Sequence, residues 1–424
     1  MFGKTRIECV GKRLGLCALI LLLALVAVMP AARGAVPRET AEVLRFDAAG
    51  NFKIMVIADI QDGARVNPYT IELITLALAQ EQPDLVVLDG DNIFGLVPSL
   101  IISRANVRRS IDAFLAPIVE SGTPFALVFG NHDPETIMSK AEQMAYYQGF
   151  AGCVAQAGEI ADRAGNYQLL VCDDNDVPAL NLWFLDSGNK AKTEHGSGYA
   201  YVLDEQMAWY AQKGEELKVL NEGKTIPAVL FQHIPVPEIY DLLSIAAEGT
   251  EGAVQGHGIY SEKYYVLNDS LVSDGALNEG PCPPDYNNGQ FAGWLAQRDI
   301  MAAVFGHDHV NDFRGTLKGI ELMHTAGAGF YDYGNGYQHG VRVMEFHKDA
   351  VQDYTTRMVY WEELTDKQIP EKLLYKGAFW YGDVYIYFGL IALIVIALVL
   401  VVVLVARKVR KKKKAVQQKT KQIS

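Results

Sequence analysis

Phe125-Ala126-Leu127-Val128-Phe129-Gly130-Asn131-His132-Asp133 decides the reading of this chain. A run of five apolar residues is short for a helix and fits a buried strand. The strand breaks at a glycine into three side chains able to bind cations or move protons. The habit recurs along the chain. Phe52 to Ala58 ends at Asp59-Ile60-Gln61, and Leu85 to Leu88 runs into Gly90-Asp91-Asn92. Ala228 to Gln232 ends at His233, and Ala302 to Phe305 runs into Gly306-His307-Asp308-His309.

Between these strands lie stretches with helical periodicity, Pro68 to Gln80 (Pro68 fitting a first turn) and Val107 to Val119. The first third therefore reads β-α-β-α-β, which predicts a parallel sheet with right-handed crossovers. Leu180 to Leu185 predicts a further strand, ending at Asp186-Ser187-Gly188, and Asp204 to Lys213 a helix. In such α/β sheets, sites collect at the carboxyl ends of strands, where loops deliver side chains without breaking the ladder. Residues 240–295, rich in Gly, Asn, Asp and Pro, read as a long insertion covering the site. It holds a glycosylation sequon, Asn268-Asp269-Ser270.

The ordered motifs suit hydrolysis of a phosphoester at two metal ions. Such chemistry needs a hydroxide near neutral pH and neutralisation of charge developing on the phosphoryl oxygens, and two ions about 3.5–4 Å apart supply both. A ligand shared by the ions is best a carboxylate, and Asp91 is the candidate. Asp59 would bind one ion alone. Asn131 offers an amide oxygen, and His233 and His307 imidazole nitrogens, to the other. His309, two residues beyond His307, could serve the first ion. The mixed N/O set suits Mn, Zn or Fe better than Ca or Mg. His132, next to Asn131, reads as the group that protonates the leaving oxygen or stabilises the phosphoryl group. His195, His257, His324, His339 and His347 fit no ligand position; His195 and His257 sit in Gly-rich loops that could line a substrate pocket. Trp209 reads as core.

Both ends of the chain stand apart in composition. Lys4, Arg6, Lys12 and Arg13 precede an apolar run from Leu14 to Met29, then Pro30 and small residues, with Ala32 and Gly34 spaced for cleavage before Ala35. That is the layout of a signal peptide over 1–34. Val384 to Ala406 carries no charge and is long enough to cross a bilayer, with Trp380, Tyr381, Tyr385 and Tyr387 at its start. Arg407, Lys408, Arg410 and Lys411 to Lys414 follow directly. The expected order is thus signal peptide, ectodomain over 36–365, juxtamembrane stretch 366–383, membrane helix 384–406 and basic cytoplasmic tail 407–424. This is single-pass type I topology at the cell membrane.

The net charge of −12 conceals an acidic body. Outside the two basic ends, the chain holds 24 Lys or Arg against 49 Asp or Glu. Such a surface is a poor match for nucleic acid, and none is expected as a partner. Cys153, Cys172 and Cys282 are too few for a disulfide framework; a Cys153–Cys172 bridge and buried thiols are both compatible with the sequence.

At its motifs the chain resembles the calcineurin-like metallophosphoesterases, and within them the purple-acid-phosphatase-like branch. Phe231-Gln232-His233-Ile234-Pro235-Val236-Pro237-Glu238 and Gly306-His307-Asp308-His309-Val310-Asn311-Asp312-Phe313 carry the narrower likeness, which spans roughly residues 52–348. The resemblance implies an α/β fold, a four-layer α/β/β/α sandwich of two mixed sheets with the metal pair at one edge. By position, Asp59, Gln61, Asp91 and His309 would hold the first ion. Asp91, Asn131, His233 and His307 would hold the second, and His132 would assist the leaving group. Two positions depart from the pattern. The family usually has His where Gln61 stands, so the first site is expected either to be weaker or to prefer Mn or Mg-like ions, with Asp62 as a candidate compensating ligand. The purple enzymes place Tyr where Phe94 stands, so a coloured Fe(III) centre is not expected.

The resulting expectation is a membrane-anchored, extracytoplasmic hydrolase of phosphomonoesters or phosphodiesters that uses a metal-activated water. Gln61 keeps open a second reading, a catalytically weak surface binding module on the same fold. The short juxtamembrane stretch keeps open a third, a hydrolase of lipid-linked pyrophosphates.

Overall fold

The computed structural model describes residues 44–95, 97–160, 163–193, 196–377 and 383–421. The expected signal segment, Trp380, Tyr381 and His195 lie outside the described residues. The three opening apolar runs form parallel neighbours in one five-stranded sheet. Its order is Thr355–Tyr360 (β18), Gly340–His347 (β17), Asn51–Ile57 (β2), Leu85–Asp89 (β3) and Phe125–Val128 (β4). β2 pairs with β3 through Ile54↔Leu85 to Ile57↔Leu88, and β3 with β4 through Val86↔Phe125 to Asp89↔Val128. β17 and β18 add on antiparallel, so the sheet is mixed.

The second sheet has eight strands. Its order is Leu44–Arg45 (β1), Tyr167–Cys172 (β5), Pro178–Phe184 (β6), Ala228–Phe231 (β9), Ile300–Phe305 (β14), Ile320–His324 (β16), Arg314–Leu317 (β15) and Val272–Asp274 (β13). It too is mixed, with β6, β9, β14 and β16 parallel to one another. Alternation along its strands sorts side chains between two cores. Leu182, Phe184, Val229, Phe231, Ala302 and Val304 share a core with the smaller sheet. Trp183, Leu185, Leu230, Ala303 and Phe305 join the other. Both sheets are covered on each face, which is why their central strands read as continuous apolar runs.

Helices close the outer faces. α1 (Pro68–Glu81) starts at Asn67, whose side chain accepts from the Tyr69 amide, and buries Thr70, Leu73, Ile74, Ala77 and Leu78 along one stripe. α2 (Arg104–Ser121) begins earlier than periodicity suggests because Ser103 caps it, accepting from the Asn106 amide. Both helices supply residues to the core of the smaller sheet, Leu73 and Ile74 from one and Ile111 and Phe114 from the other. α3 (Asp204–Leu220) runs further than expected; with α4 (Gln290–Gln297) it packs on the second core through Tyr210, Leu217, Phe291 and Trp294. Trp209 packs edge-on against Trp183 as a core residue, 5.6 Å between ring centres.

Three features differ from the sequence reading or refine it. The 240–295 segment has regular structure: Leu243–Ala246 (β10), Tyr264–Leu267 (β12) and Val254–Gln255 (β11) form an antiparallel sheet, and its later part supplies β13 and α4. Lys190–Thr193 (β7) and Gly196–Tyr199 (β8) make a hairpin. No disulfide joins Cys153, Cys172 and Cys282. At the C-terminus, α5 (Asp383–Lys421) contains Phe388–Lys411, a 24-residue stretch whose most apolar 18-residue window has mean hydropathy 3.5, long and apolar enough to cross a membrane. α5 continues past the apolar run because Lys, Arg, Gln and Ala favour helix and no Gly or Pro interrupts them.

Candidate metal centre

The motif loops leave the carboxyl ends of parallel strands in both sheets. Asp59 and Gln61 follow β2, Asp91 follows β3, and Asn131 and His132 follow β4. His233 follows β9, and His307 and His309 follow β14. Backbone bonds knit the first loops together: the Asp59 amide donates to the Gly90 carbonyl at 3.1 Å and the Gln61 amide to the Asp91 carbonyl at 2.7 Å. The strands are packed so closely here that two glycines are required. A Cβ on Gly90, at φ +86°, would lie 2.6 Å from the His233 ring, and one on Gly130 would lie 2.2 Å from Asp91 Oδ1.

Four of the expected site residues hold left-handed backbone, with φ of 51° at Asp59, 40° at Gln61, 44° at Asp91 and 76° at His307. Such geometry is unfavourable for side chains bearing a Cβ and persists where surrounding structure imposes it, as at functional sites.

The side chains converge. Ligand atoms of Asp91, His233 and His307 lie within 4.8 Å of one another. His233 Nε2 stands 3.0 Å from Asp91 Oδ2 and 3.7 Å from Asp59 Oδ1, and His309 Nε2 stands 3.5 Å from Asp59 Oδ1. Each outer ring nitrogen is anchored from behind, His233 Nδ1 on the Asp89 carbonyl at 2.9 Å and His309 Nδ1 on the Tyr333 carbonyl at 3.0 Å. That backing fixes the tautomer and turns Nε2 inward. Yet Gln61 Oε1, Asn131 Oδ1, His233 Nε2 and His307 Nε2 are buried without a hydrogen bond. Despite its 3.0 Å approach to Asp91, His233 Nε2 does not meet hydrogen-bond geometry. Buried polar atoms left unpaired are costly. Two of them, His233 Nε2 and His307 Nε2, lie within 4.8 Å of an Asp91 oxygen, where a cation would satisfy them, and Gln61 and Asn131, on neighbouring motif loops, carry oxygen donors of the kind such an ion takes.

Electrostatics agree. Burial raises the Asp59 carboxyl to about 6, although His233 and His309 pull it down. Burial also works to raise Asp91, but His233 and His132 outweigh it and hold this carboxyl below its ordinary range. Burial opposes a proton on His233, but Asp91 and Asp59 prevail and lift it to about 10. Protons here answer the negative potential that divalent cations would neutralise. His307, buried and facing His233, is pushed well below its ordinary value and stays a neutral imidazole, the form that binds metal.

His132 has a different setting. Its amide donates to Asp91 Oδ1 at 2.6 Å, its Nδ1 meets Glu135 Oε2 at 2.6 Å, and its ring stands edge-on to Phe94. Burial opposes its charge, but Asp91 and Glu135 raise it to about 9.

Several residues act in ways their sequence did not disclose. Asp133 accepts from the amides of Asn92, Ile93 and Gly130 at 2.7–3.2 Å and so ties the β3 loop to the β4 loop. Asp62 corrects the expectation of a compensating ligand. Its oxygens accept from the Gly63 and Asn67 amides and from Thr70 Oγ1 at 2.9–3.0 Å, which commits it to the start of α1. Tyr199 stands edge-on to His307 at 4.3 Å, with His257 5.9 Å away, and Tyr333 stacks on His309 at 4.2 Å. The 275–285 stretch of the insertion is clamped to the last motif loop. The Asn278 amide donates to Asn311 Oδ1, Asn311 Nδ2 to the Glu279 carbonyl, and the Cys282 amide to Asp308 Oδ1, at 2.8–3.1 Å. The segment is therefore a hydrogen-bonded wall of the site. Glu135 alone carried a local signal, three residues after His132; Tyr199, Tyr333 and Glu279 had none.

The family model for calcineurin-like phosphoesterases matches residues 52–311. Probable inactive purple acid phosphatase 14 of Arabidopsis thaliana is 30% identical over 338 residues, 71% of this chain and 77% of the relative. Phosphatase DCR2 of Saccharomyces cerevisiae is 26% identical over 288 residues, 62% of this chain and 45% of the relative. Among solved structures, a dimetal phosphatase from Danio rerio matches with a TM-score of 0.45 at 15% identity, covering 72% of this chain and 98% of that one. With a mixed α/β fold, a buried Asp/His cluster at its strand ends and this family match, the chain belongs to the calcineurin-like phosphoesterases, metal-dependent hydrolases of phosphoric esters that use two divalent ions.

Proposed function

We propose that this chain is a membrane-anchored, extracytoplasmic phosphohydrolase built on a four-layer α/β/β/α body, cleaving phosphomonoesters or phosphodiesters. The observation that carries the reading is the buried cluster of Asp91, His233 and His307, whose ligand atoms lie within 4.8 Å of one another with Asp59 beside His233, together with the unpaired buried atoms on Gln61, Asn131, His233 and His307. Asp59, Gln61, Asp91 and His309 would hold one ion, and Asp91, Asn131, His233 and His307 the other. Two ions so held supply a hydroxide at neutral pH and neutralise charge on the phosphoryl oxygens. The chain's own residues do the rest. Asp91, set below the ordinary carboxylate range, stays ionised and can be shared. The carbonyls behind His233 and His309 keep their Nε2 lone pairs aimed inward. His132, with Nδ1 held by Glu135, keeps Nε2 for the oxygen that leaves and can hand it a proton.

Anchoring rests on the apolar window of α5 and the basic residues after it, which the positive-inside rule assigns to the cytoplasm. The reading then has a signal peptide over 1–34, an ectodomain over 36–365, a juxtamembrane stretch over 366–383 and a tail from 407. Protease shaving of intact cells should release the ectodomain; a protected ectodomain would reject this topology. For the chemistry, the test is elemental analysis of the detergent-purified full chain, paired with aryl phosphate and bis-aryl phosphate substrates. Two ions per chain, activity lost to chelator and restored by manganese or zinc, is the expected result. A chain with neither bound metal nor turnover would overturn the reading.

Gln61 favours a second reading, a weakened site on a binding module; an amide oxygen is a poorer ligand for these metals than imidazole. The Arabidopsis relative's name, which includes "inactive", points the same way. Gln61→His separates the two: a turnover gain of several orders would mark the native site as impaired, and an unchanged rate would mark Gln61 as a working ligand.

A further inference from the structure

We propose that the site faces the bilayer and takes lipid substrates whose phosphoryl group lies at headgroup level. The assignment rests on the phosphohydrolase reading above and names its substrate class.

The first observation is the connection between the metal centre and the membrane helix. His309 stacks on Tyr333 and its Nδ1 donates to the Tyr333 carbonyl, so Tyr333 belongs to the rim of the site. The rim segment 331–336 is bonded directly to the last described stretch before the membrane helix. The Gly334 amide donates to the Tyr375 carbonyl at 3.3 Å and the Gly336 amide to the Leu374 carbonyl at 2.6 Å. Gly377 approaches so closely that a Cβ there would lie 2.0 Å from the Asp332 carbonyl oxygen. α5 starts six residues later, at Asp383. Six residues reach at most about 20 Å when fully extended. A body of some 330 residues has a radius of gyration of about 20 Å, hence a diameter of about 50 Å. The tether cannot place the Tyr333 rim at the pole far from the membrane.

A second observation lies across the site. Phe94 stands edge-on to both His132, at 5.1 Å, and Tyr331, at 6.1 Å, and so joins the His132 side to the Tyr333 side. Just beyond it, the short helix Pro98–Ile102 is bonded to the loop after His132, the Ile137 amide donating to the Leu100 carbonyl at 3.2 Å. That helix exposes Ile101 by 44% and Ile102 by 75%, and Tyr375 on the tether is exposed by 62%. Apolar and aromatic side chains in water beside a site tethered close to a bilayer match an interface-facing rim. The bilayer holding α5 is the occupant that covers them.

The reaction is hydrolysis. The water oxygen bonds to phosphorus, the bond from phosphorus to the lipid oxygen breaks, and that oxygen departs with one of the water's protons. Phosphatidic acid would give diacylglycerol and inorganic phosphate. No other reactant is needed.

The test uses the full chain in phosphatidylcholine vesicles containing phosphatidic acid, with a soluble aryl phosphate as the second arm. A Gly-Ser insert of about 20 residues between Gly377 and Asp383 lowers the effective concentration of the site at the surface by about 10-fold. The insert should cut lipid turnover by that factor and leave aryl phosphate turnover within about two-fold. Ile102→Asp should act in the same direction. Independently of turnover, an environment-sensitive dye on Ile102→Cys should be quenched by spin-labelled lipid in the vesicles. If aryl phosphate is hydrolysed but lipid is not, if the insert changes neither rate, or if the dye stays in water, this assignment falls and the hydrolase reading stands. If neither substrate turns over, both fall.

Discussion

Gly90→Ala probes how the smaller sheet positions a ligand carried by the larger one. Gly90 sits at φ +86°, and an added Cβ would lie 2.6 Å from His233 Cβ, Cγ and Nδ1. Left-handed backbone with a side chain costs about 1 kcal/mol. The clash falls on the root of a fully buried ring, which cannot yield as the tip of a flexible side chain would, and overpacking of this kind costs about 1–3 kcal/mol. Displacing the ring also breaks the 2.9 Å bond from His233 Nδ1 to the Asp89 carbonyl, a loss of about 1 kcal/mol. The sum, about 3–5 kcal/mol, lies within what a domain of ordinary stability survives. Because that bond aims Nε2, affinity at the cluster of Asp91, His233 and His307 should fall about 10–100-fold. Gly122→Ala is the control. Gly122 has φ +77° with nothing within 4 Å of an added Cβ, so only the backbone penalty of about 1 kcal/mol applies. Urea unfolding and calorimetric titration with zinc or manganese read both effects. Gly90→Ala that matches Gly122→Ala in stability and binds two ions with native affinity would refute the placement of His233.

Asp91→Ala should lose both ions by elemental analysis, and retention of two would reject its shared role. His132→Ala should retain metal and lose about 10²–10⁴-fold in rate; loss of metal instead would make it a ligand. The metal-free protein should lose stability as pH rises. His132 and His233 are raised to about 9 and about 10 from an ordinary 6.5, so the stability that their protons contribute is fully present below pH 6.5 and is lost as pH climbs through those values. Denaturation midpoints of chelator-treated protein across pH 6.5–10 measure this, and a flat profile would contradict the cluster's charge arrangement.

Much of the framework was legible because strands buried on both faces must be uniformly apolar. Phe52 to Ala58, Leu85 to Leu88 and Phe125 to Phe129 announced themselves in this way, and each ended close to its motif. Gly340–His347 went unread, although it pairs with β2 at the centre of the smaller sheet. Its Arg342 is buried and its alternation is broken, so the run carries no strand period. The 240–295 segment looked irregular because its strands are short, and their pairing partners are set by distant residues.

The sequence by itself determined which candidate ligands the chain carries and their order, an Asp, Gln, Asp, Asn, His, His, His series placed where strands end, since side-chain type and strand burial are local properties. Tertiary structure alone decided which polar neighbours serve the site and which serve the scaffold. Asp62 and Asp59 are three residues apart in sequence, but one anchors α1 and the other faces His233 and His309. Tyr333 and the tether to α5 reach the site only through folding. Contacts between residues far apart in sequence depend on how two sheets pack and on where their loops meet, and no local pattern encodes that meeting.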